Sequence, residues 1–476
     1  MFILMVVIFV LGYAAIALEH PLKVDKAASA LIIGSLTWVI YILGSGDILG
    51  MVNDAGEYIS TAWSHFLEEN PTSNNTEGMR EFISHHQILY HLGEIAEILF
   101  FLLGAMTIVE IVDHHQGFKI ITDKIKTTNK VKLLWILSFL TFFMSAALDN
   151  LTTTIVMVAL LRKLIDDKQT RWFFASMVVL AANAGGAWSP IGDVTTIMLW
   201  IGRQVTAVEI ITGVFIPSMV TMLIPVTILS FTMKGEVTRP EINDDKSSTN
   251  VPVWQQKLIL IWGVVTLLMV PVFKTVTHLP PYMGMLLGLG ILWVLTEVIH
   301  RGHHNEEDNK LTVVGILTRV DVPTVLFFLG ILSAVASLQS AGHLRLLAES
   351  LDKQLDNVYL IGIAIGLLSS IVDNVPLVAG AMGMYPIVDP ATINPLAENA
   401  AYLHNFIQDG IFWEFLAYTA GTGGSILIIG SAAGVAAMGL EKIDFIWYMK
   451  KISLLATVGY FAGAGAYYLQ HIIIHN

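Results

Sequence analysis

Long apolar runs separated by short polar loops dominate this sequence from its first residue. A helix needs about 20 apolar residues to cross the roughly 30 Å hydrocarbon core of a bilayer. The runs predict an all-α polytopic membrane protein, and the first run lacks the basic leader of a removed signal peptide. The twelve candidate segments are 1–18, 28–45, 88–112, 133–161, 172–201, 208–232, 254–273, 281–299, 321–340, 356–388, 412–440 and 452–470.

Composition supports this prediction and excludes several other classes of protein. Of the 476 residues, 55% are apolar and 13% are charged, which leaves too few polar groups to coat a water-soluble surface. The net charge of −12 argues against a partner nucleic acid. The absence of cysteine excludes disulfide scaffolds, thiolate metal sites and iron–sulfur clusters. The expected partner is therefore the lipid bilayer.

Four segments are too long or too interrupted to be simple membrane helices. Segment 133–161 has basic loops on both flanks, and cytoplasmic loops are usually the basic ones. A re-entrant hairpin with legs 133–148 and 151–161, each shorter than a span, keeps both flanks inside, whereas one long tilted helix would not. We therefore expect hairpins at 133–161 and 356–388 and broken helices at 172–201 and 412–440.

The distribution of basic residues favours one topology for the whole chain. With an inner hairpin first and an outer hairpin second, the predicted cytoplasmic loops hold 21 of the 26 Lys and Arg residues. Residues 1–232 are then predicted to form three helices, a hairpin, a broken helix and a final helix, in that order. Residues 254–476 are predicted to form the same elements in the opposite orientation. Between them lies 233–253, a predicted cytoplasmic linker. Inverted repeats of this kind are typical of secondary transporters.

Both predicted hairpin tips carry the same Asp-Asn pair. The first tip has Asp149 and Asn150 followed by Thr152, and the second has Asp373 and Asn374, at an offset of 224 residues. An ionised side chain at this depth costs roughly 2.5–3.5 kcal/mol on insertion scales, so such groups are usually functional. The alternative is that each Asp only caps the helix that follows it.

The two predicted broken helices also match each other. Gly185 corresponds to Gly423 and Gly192 to Gly430, both at an offset of 238 residues. Mid-membrane glycines and prolines free backbone groups, which is tolerated where those groups line a cavity or bind a solute. Together with the tips, these breaks offer carboxylate, amide, hydroxyl and carbonyl oxygens, which suit a hard cation. The candidate polar residues of the breaks are Asn183, Asp193, Thr195, Thr196 and Ser431.

Histidines and carboxylates elsewhere suggest secondary roles. His91, Glu94 and Glu97 follow one another at helical spacing in segment 88–112, as a candidate proton path or pH sensor. The alternative is that His91 and Glu94 only extend to the membrane interface. The adjacent pairs His85-His86, His114-His115 and His303-His304 are interpreted as solvated loop residues, because neighbours on a helix point apart.

The Asp-Asn tips and the stretch Asn-Ala-Gly-Gly-x-x-Ser-Pro-Ile-Gly-Asp-Val-Thr-Thr at 183–196 resemble the NhaD-type sodium/proton antiporters. These belong to an ion transporter superfamily with the arsenite permeases and the divalent anion/sodium symporters. The resemblance implies a homodimer of elevator type in the bacterial inner membrane, without a cofactor. By motif position, the implied ion-binding residues are Asp149, Asn150, Asn183, Asp193, Thr195, Thr196, Asp373 and Asn374, with Na⁺ at Asp149, Asn150 and Asp193.

The sequence thus leads to the hypothesis of an alternating-access antiporter that exchanges Na⁺, and also Li⁺, for H⁺. A carboxylate away from water favours its protonated form, so that ion and proton compete for Asp149 and Asp193. An anion carrier for dicarboxylate or arsenite is the runner-up, disfavoured because no Lys or Arg lies at either tip or break. An intramembrane aspartyl protease using Asp149 and Asp373 is disfavoured because no Tyr precedes either residue. We expect a transporter rather than an enzyme.

Overall fold

The computed structural model describes residues 1–17, 19–52, 58, 60–240, 251–301, 312–355, 357–397 and 399–475. Within these ranges the chain is 79% helical and contains no strand, which confirms the all-α class. The described helices of eight or more residues are α1 (Phe2–Ala17), α2 (Lys26–Leu43), α3 (Thr61–Glu69), α4 (Leu89–His114), α5 (Lys130–Leu148), α6 (Asn150–Leu164), α7 (Lys168–Ala187), α8 (Val194–Ile201), α9 (Ala207–Thr232), α10 (Val253–Thr277), α11 (Pro281–Ile299), α12 (Val322–Ser340), α13 (His343–Leu355), α14 (Val358–Leu368), α15 (Asn374–Met384), α16 (Ile411–Gly423), α17 (Ala432–Glu441) and α18 (Ser453–His475).

Seven described helices are long and apolar enough to cross a membrane. An eighth is added if Phe445–Lys451 and Ser453–Ile473, which meet at a bend of 52°, form one span. Their exposed side chains are largely aliphatic, as expected for a surface that faces lipid. The protein is therefore a multi-pass membrane protein.

Each of the four irregular segments is interrupted in the structure. Asp149, whose φ is 80°, separates α5 from α6 as a single non-helical residue. Short Asp side chains tolerate positive φ better than most because they hydrogen-bond to the nearby backbone. The other three interruptions are longer: 188–193 between α7 and α8, 369–373 between α14 and α15, and 424–431 between α16 and α17.

The first leg of the predicted inner hairpin is longer than the sequence indicated. Helix α5 has 19 residues and is long enough to span a membrane, so the prediction that both legs fall short was wrong for this leg. The side chain of Asn129 accepts a hydrogen bond from Lys132 N at 3.0 Å and starts the helix three residues early. The added turn is polar, so hydropathy alone did not include it.

The far ends of α5 and α6 lie beside the same short segment. Lys130 N, at the start of α5, donates to Gly235 O at 3.1 Å, and Asp166 N, just after α6, donates to Thr238 O at 2.9 Å. The two acceptors are three positions apart in the sequence, so both ends lie close together and the chain turns back at Asp149. The acceptors belong to the predicted linker 233–253, whose residues 241–250 lie outside the described residues, as do His303 and His304.

Backbone contacts divide the chain into two compact units, and each takes helices from both predicted repeats. Unit 1 contains the candidate residues His91, Glu94 and Glu97, and unit 2 contains every candidate ion-binding residue. Unit 1 comprises Met1–Phe100, Asp321–Ile361 and Pro376–Ile387, and unit 2 comprises Phe101–Val320, Gly362–Val375 and Val388–Asn476.

A buried ion-pair cluster joins three helices of unit 2. Glu441, at the end of α17, accepts Arg162 Nε at 2.7 Å and Arg171 Nε at 2.6 Å, and its side chain is almost fully buried. Trp172 Nε1 donates to the Glu441 carbonyl at 3.0 Å. The cluster thus ties the end of α6 and the start of α7 to the end of α17.

Replacing Glu441 by Gln should lower the free energy of unfolding by about 3 kcal/mol, because two arginines lose their buried counter-charge. The matched control is Glu349→Gln, which breaks the exposed pair with Arg345 and should cost less than about 1 kcal/mol. Thermal unfolding in detergent, followed by tryptophan fluorescence, measures both. Equal midpoints for the two variants would show that the Glu441 cluster does not hold these helices together.

Candidate ion-binding site

Asp149 acts as the N-cap of α6. Its Oδ1 accepts a hydrogen bond from Thr152 N at 2.8 Å, and its Oδ2 accepts one from Thr152 Oγ1, also at 2.8 Å. Asp149 therefore has the capping role that the sequence left open as an alternative. Each carboxylate oxygen still has a further lone pair available to a cation.

Asp193 connects the two Asp-Asn pairs of the predicted hairpin tips. Its Oδ1 caps α8 by accepting Thr195 N at 3.1 Å. Its Oδ2 accepts the side-chain amides of Asn150 at 2.9 Å and Asn374 at 3.3 Å. The residue is only 1% exposed, so one buried carboxylate oxygen receives a donor from each Asp-Asn tip.

Asn183 extends this network to the second broken helix. Its Oδ1 accepts the amide of Asn150 at 3.0 Å, and its Nδ2 donates to the hydroxyls of Ser425 and Ser431, each at 2.9 Å. Asn183 is fully buried. Of the predicted residues, the network brings together Asn150, Asn183, Asp193, Asn374 and Ser431.

The sequence missed three hydroxyl residues near this network. Ser425 follows the second Gly-Gly pair, which was the available signal, and its hydroxyl accepts the Asn183 amide. Thr153 and Thr154 follow the first tip, and their buried hydroxyls have no hydrogen-bond partner within the described ranges. Unpaired buried hydroxyls are costly, so these two oxygens remain available to a bound ion or water.

The remaining predicted residues support the ends of helices. Thr196 Oγ1 accepts a hydrogen bond from Asp193 N at 3.3 Å, as part of a capping box, and donates to Asp193 O at 2.8 Å. Thr195 is fully buried beside it. Asp373 Oδ1 accepts Val375 N at 3.2 Å in the same way. The Asp of each tip thus has a local structural role in addition to any ion contact.

Negative charge is in excess at this site. The carboxylates of Asp149 and Asp373 both interact electrostatically with Asp193. Across the described residues, no Lys or Arg forms an ion pair with Asp149 or Asp193. The capped N-termini of α6 and α8 supply partial positive charge, which is less than the charge of one carboxylate. Full neutralisation therefore requires a cation or a proton.

The two broken helices pack on their neighbours through equivalent contacts. Ser145 Oγ donates to Ala182 O at 2.6 Å, and Ser369 Oγ donates to Ala420 O at 2.9 Å. The residues of the second pair follow those of the first by 224 and 238 positions, the same offsets that relate the tips and the glycines. These contacts place the breaks of α7/α8 and α16/α17 against corresponding neighbours.

Comparison with known proteins decides the family. The profile of the CitMHS family, described as "Citrate transporter", matches residues 1–401. The chain is 44% identical to sodium/proton antiporter 1 of Arabidopsis thaliana, covering 98% of this chain and 72% of that protein. It is 40% identical to sodium/proton antiporter 2 of the same plant, over 99% of both chains. It is 30% identical to the Na⁺/H⁺ antiporter NhaD of Vibrio parahaemolyticus, over 77% of this chain and 90% of that protein.

The chain belongs to the CitMHS transporter family. Its relatives include antiporters named NhaD, which confirms the resemblance stated from the tip and break motifs. The family description and the names of these relatives indicate a transporter, not a classical enzyme.

In this CitMHS chain, the histidine cluster predicted in segment 88–112 lies in unit 1, apart from the residues of the ion site. His91 is buried, with Nδ1 at 3.1 Å from Glu94 Oε2 and Nε2 at 3.0 Å from Ser340 Oγ. Glu94 is half-exposed and Glu97 is half-buried. The contact between His91 and Ser340 thus connects the first turn of α4 to the end of α12.

Alanine at Gly185 or Gly423 should destabilise the CitMHS chain. An added Cβ at Gly185 would collide with the carbonyl oxygen of Phe142, and at Gly423 with that of Gly366, and backbone atoms cannot move aside cheaply. The control is Gly465→Ala in α18, where no atom lies within 4 Å and where Ala is favoured over Gly by roughly 0.5–1 kcal/mol.

Thermal midpoints in detergent should fall for both break variants and stay level or rise for Gly465→Ala. Unchanged midpoints for Gly185→Ala and Gly423→Ala would contradict the close packing of the two breaks.

Proposed function

We propose that the protein is a secondary active antiporter that exchanges Na⁺, and also Li⁺, for H⁺ by alternating access. The observation that carries the proposal is Asp193, a buried carboxylate that a side-chain amide from each Asp-Asn pair contacts. Within the described part of the chain, no Lys or Arg forms an ion pair with it. The relatives named sodium/proton antiporters support the same activity.

Competition at shared carboxylates couples the two flows. A proton on Asp193 cancels the charge of that carboxylate, and a Na⁺ beside it does the same, so that binding of either cation weakens the attraction for the other. Na⁺ prefers oxygen ligands, and the ion would be held by Asp149, Asn150 and Asp193. The supporting groups are Thr152, Asn183, Thr195, Thr196, Asp373, Asn374 and Ser431.

The scaffold proposed for this exchange consists of two inverted repeats, 1–232 and 254–476, each with a re-entrant hairpin and a broken helix. The recurrence of the serine contacts at offsets of 224 and 238 residues supports the repeat. The meeting of the ends of α5 and α6 beside 235–238 supports the first hairpin.

The orientation and assembly follow from the same proposal. The loops 161–171 and 441–451 are both basic and were both predicted on the same side, and they contact each other in the cluster around Glu441. Because cytoplasmic loops are usually the basic ones, we place these loops and the linker 233–253 in the cytoplasm. The NhaD relatives are bacterial proteins, in keeping with an inner-membrane location, and we propose a homodimer.

An anion carrier is the alternative, because the family profile bears the description "Citrate transporter". The excess of carboxylates at the site works against it, since an anion would be repelled by Asp149, Asp193 and Asp373. Citrate, succinate and arsenite therefore belong in every transport assay beside Na⁺, Li⁺ and K⁺.

Asp193→Asn should abolish exchange while leaving the fold intact. Asn is as good an N-cap as Asp, so the substitution removes the titratable charge and keeps the hydrogen bond to Thr195 N. The amides of Asn150 and Asn374 lose the carboxylate oxygen that accepts them. In liposomes with an internal pH dye and an imposed proton gradient, Na⁺ and Li⁺ should restore the dye signal for the wild type. The variant should match protein-free liposomes.

The control for this experiment is Asp167→Asn. Asp167 is the exposed N-cap of α7, and hydrogen bonds from Thr170 hold the pKa of its carboxyl below its usual value, so this substitution also removes a charge from a cap. Its exchange rate should stay within about a factor of two of the wild type. Normal Na⁺-driven proton movement in Asp193→Asn, or transport of an anion alone, would refute the proposal.

We also propose that His91 and Glu94, with Glu97 one turn further on, sense pH on the extracellular side or carry a proton. The groups that contact the His91 ring are Glu94, Ser340 and the rings of Trp38 and Tyr90. Protonation would place a donor on both ring nitrogens and strengthen the contacts that tie α4 to α12.

His91→Gln should flatten the dependence of the exchange rate on extracellular pH, because Gln cannot be protonated. The control is His65→Gln, since His65 forms an exposed pair with Glu68 at the same spacing. An unchanged pH profile in His91→Gln would limit His91 to a structural role.

A further inference from the structure

Two histidines in unit 2 each follow directly on the last residue of a long helix. His115 follows α4 and His300 follows α11. The Nδ1 of His115 lies 2.8 Å from Ile111 O, and the Nδ1 of His300 lies 2.8 Å from Thr296 O. A carbonyl oxygen can only accept, so both Nδ1 atoms carry the proton and both Nε2 atoms are left with a lone pair.

Neither lone pair has a partner among the residues that the structure describes. There, the Nε2 atoms of His115 and His300 are both buried and without a hydrogen bond, and His115 is 0% exposed. The interpretation of His114-His115 as a solvated pair was therefore wrong for His115, because the chain turns inward directly after α4. The two ring centroids are 5.3 Å apart. Two buried imidazole nitrogens that lack a donor are costly to the fold unless an ion or another group binds to them.

We propose that His115 and His300 form a binding site for one divalent transition-metal ion of the Zn²⁺ class. A tetrahedral Zn²⁺ with Zn–N bonds of about 2 Å holds two imidazole nitrogens about 3.4 Å apart and their ring centroids roughly 5 Å apart. Water completes the coordination. Na⁺ prefers oxygen ligands, so this site is distinct in chemistry from the Asp193 network.

Two further features of the pair favour a metal. Histidine ligands usually donate their second ring N–H to a backbone carbonyl or a carboxylate, which fixes the tautomer, and both residues do so here. Both also sit at helix C-termini, where the helix dipoles place partial negative charge that attracts a cation.

The test measures metal binding by the full-length protein, purified in detergent with a tag that contains no histidine. Zn²⁺ binding is measured by equilibrium dialysis, and Co²⁺ is used as a spectroscopic probe of nitrogen coordination. The variants are His115→Gln and His300→Gln. The control is His114→Gln, because His114 is the direct neighbour and its Nδ1 lies 3.4 Å from Arg319 Nη1.

The wild type and His114→Gln should bind one Zn²⁺ with the same affinity, and either site variant should bind at least about tenfold more weakly. Zn²⁺ should also raise the thermal midpoint of the wild type, since the ion links the ends of α4 and α11. If His115→Gln does not fold, the proposal is still tested by Zn²⁺ binding to His300→Gln, which changes a half-exposed position, and by the Co²⁺ spectrum of the wild type. Equal affinity in His300→Gln, or no saturable binding by the wild type, would overturn the proposal.

Discussion

A carboxylate can stay ionised inside a membrane only if its charge is compensated, and the arrangement around Asp193 follows from this constraint. One oxygen caps α8, and the other accepts amides from Asn150 and Asn374. These are neutral donors, which lower the cost of burial without cancelling the charge. The remaining charge must be balanced by a cation or a proton. A site of this kind suits exchange of one cation for another better than permanent binding.

The contribution of the two halves to this site is unequal. The first half supplies Asp193 and Asn183, and at the corresponding positions the second half has Ser431 and Gly421. The hydroxyls of Ser431 and Ser425 bind the Asn183 amide and so fix the orientation of the side chain that contacts the first tip. The backbone packing at the two breaks is similar, but only the first break carries a carboxylate, Asp193. Serine hydroxyls of the second half orient Asn183 of the first half.

Much of the fold could be predicted from the sequence because it depends on local patterns. Apolar runs gave the membrane helices, and Gly, Pro and Asp within those runs gave the four interruptions. The start of α5 was misplaced because it is set by the Asn129 cap and not by hydropathy. The Asp-Asn tips were found because they repeat along the chain.

The pairing of side chains could not be predicted in the same way. Asn183 and Ser425 are 242 residues apart in sequence, and no local signal indicates that they meet. The burial of His115 has a similar cause, since it depends on how the chain turns after α4 and on the position of α11.

The most direct test of the account is proton release from the purified protein during a Na⁺ titration in weak buffer. If Na⁺ and H⁺ compete for Asp193, Na⁺ should release protons from the wild type in a saturable manner, and Asp193→Asn should bind Na⁺ weakly and release none. Saturable Na⁺ binding without proton release in the wild type, or equal release in the variant, would contradict the central role of Asp193.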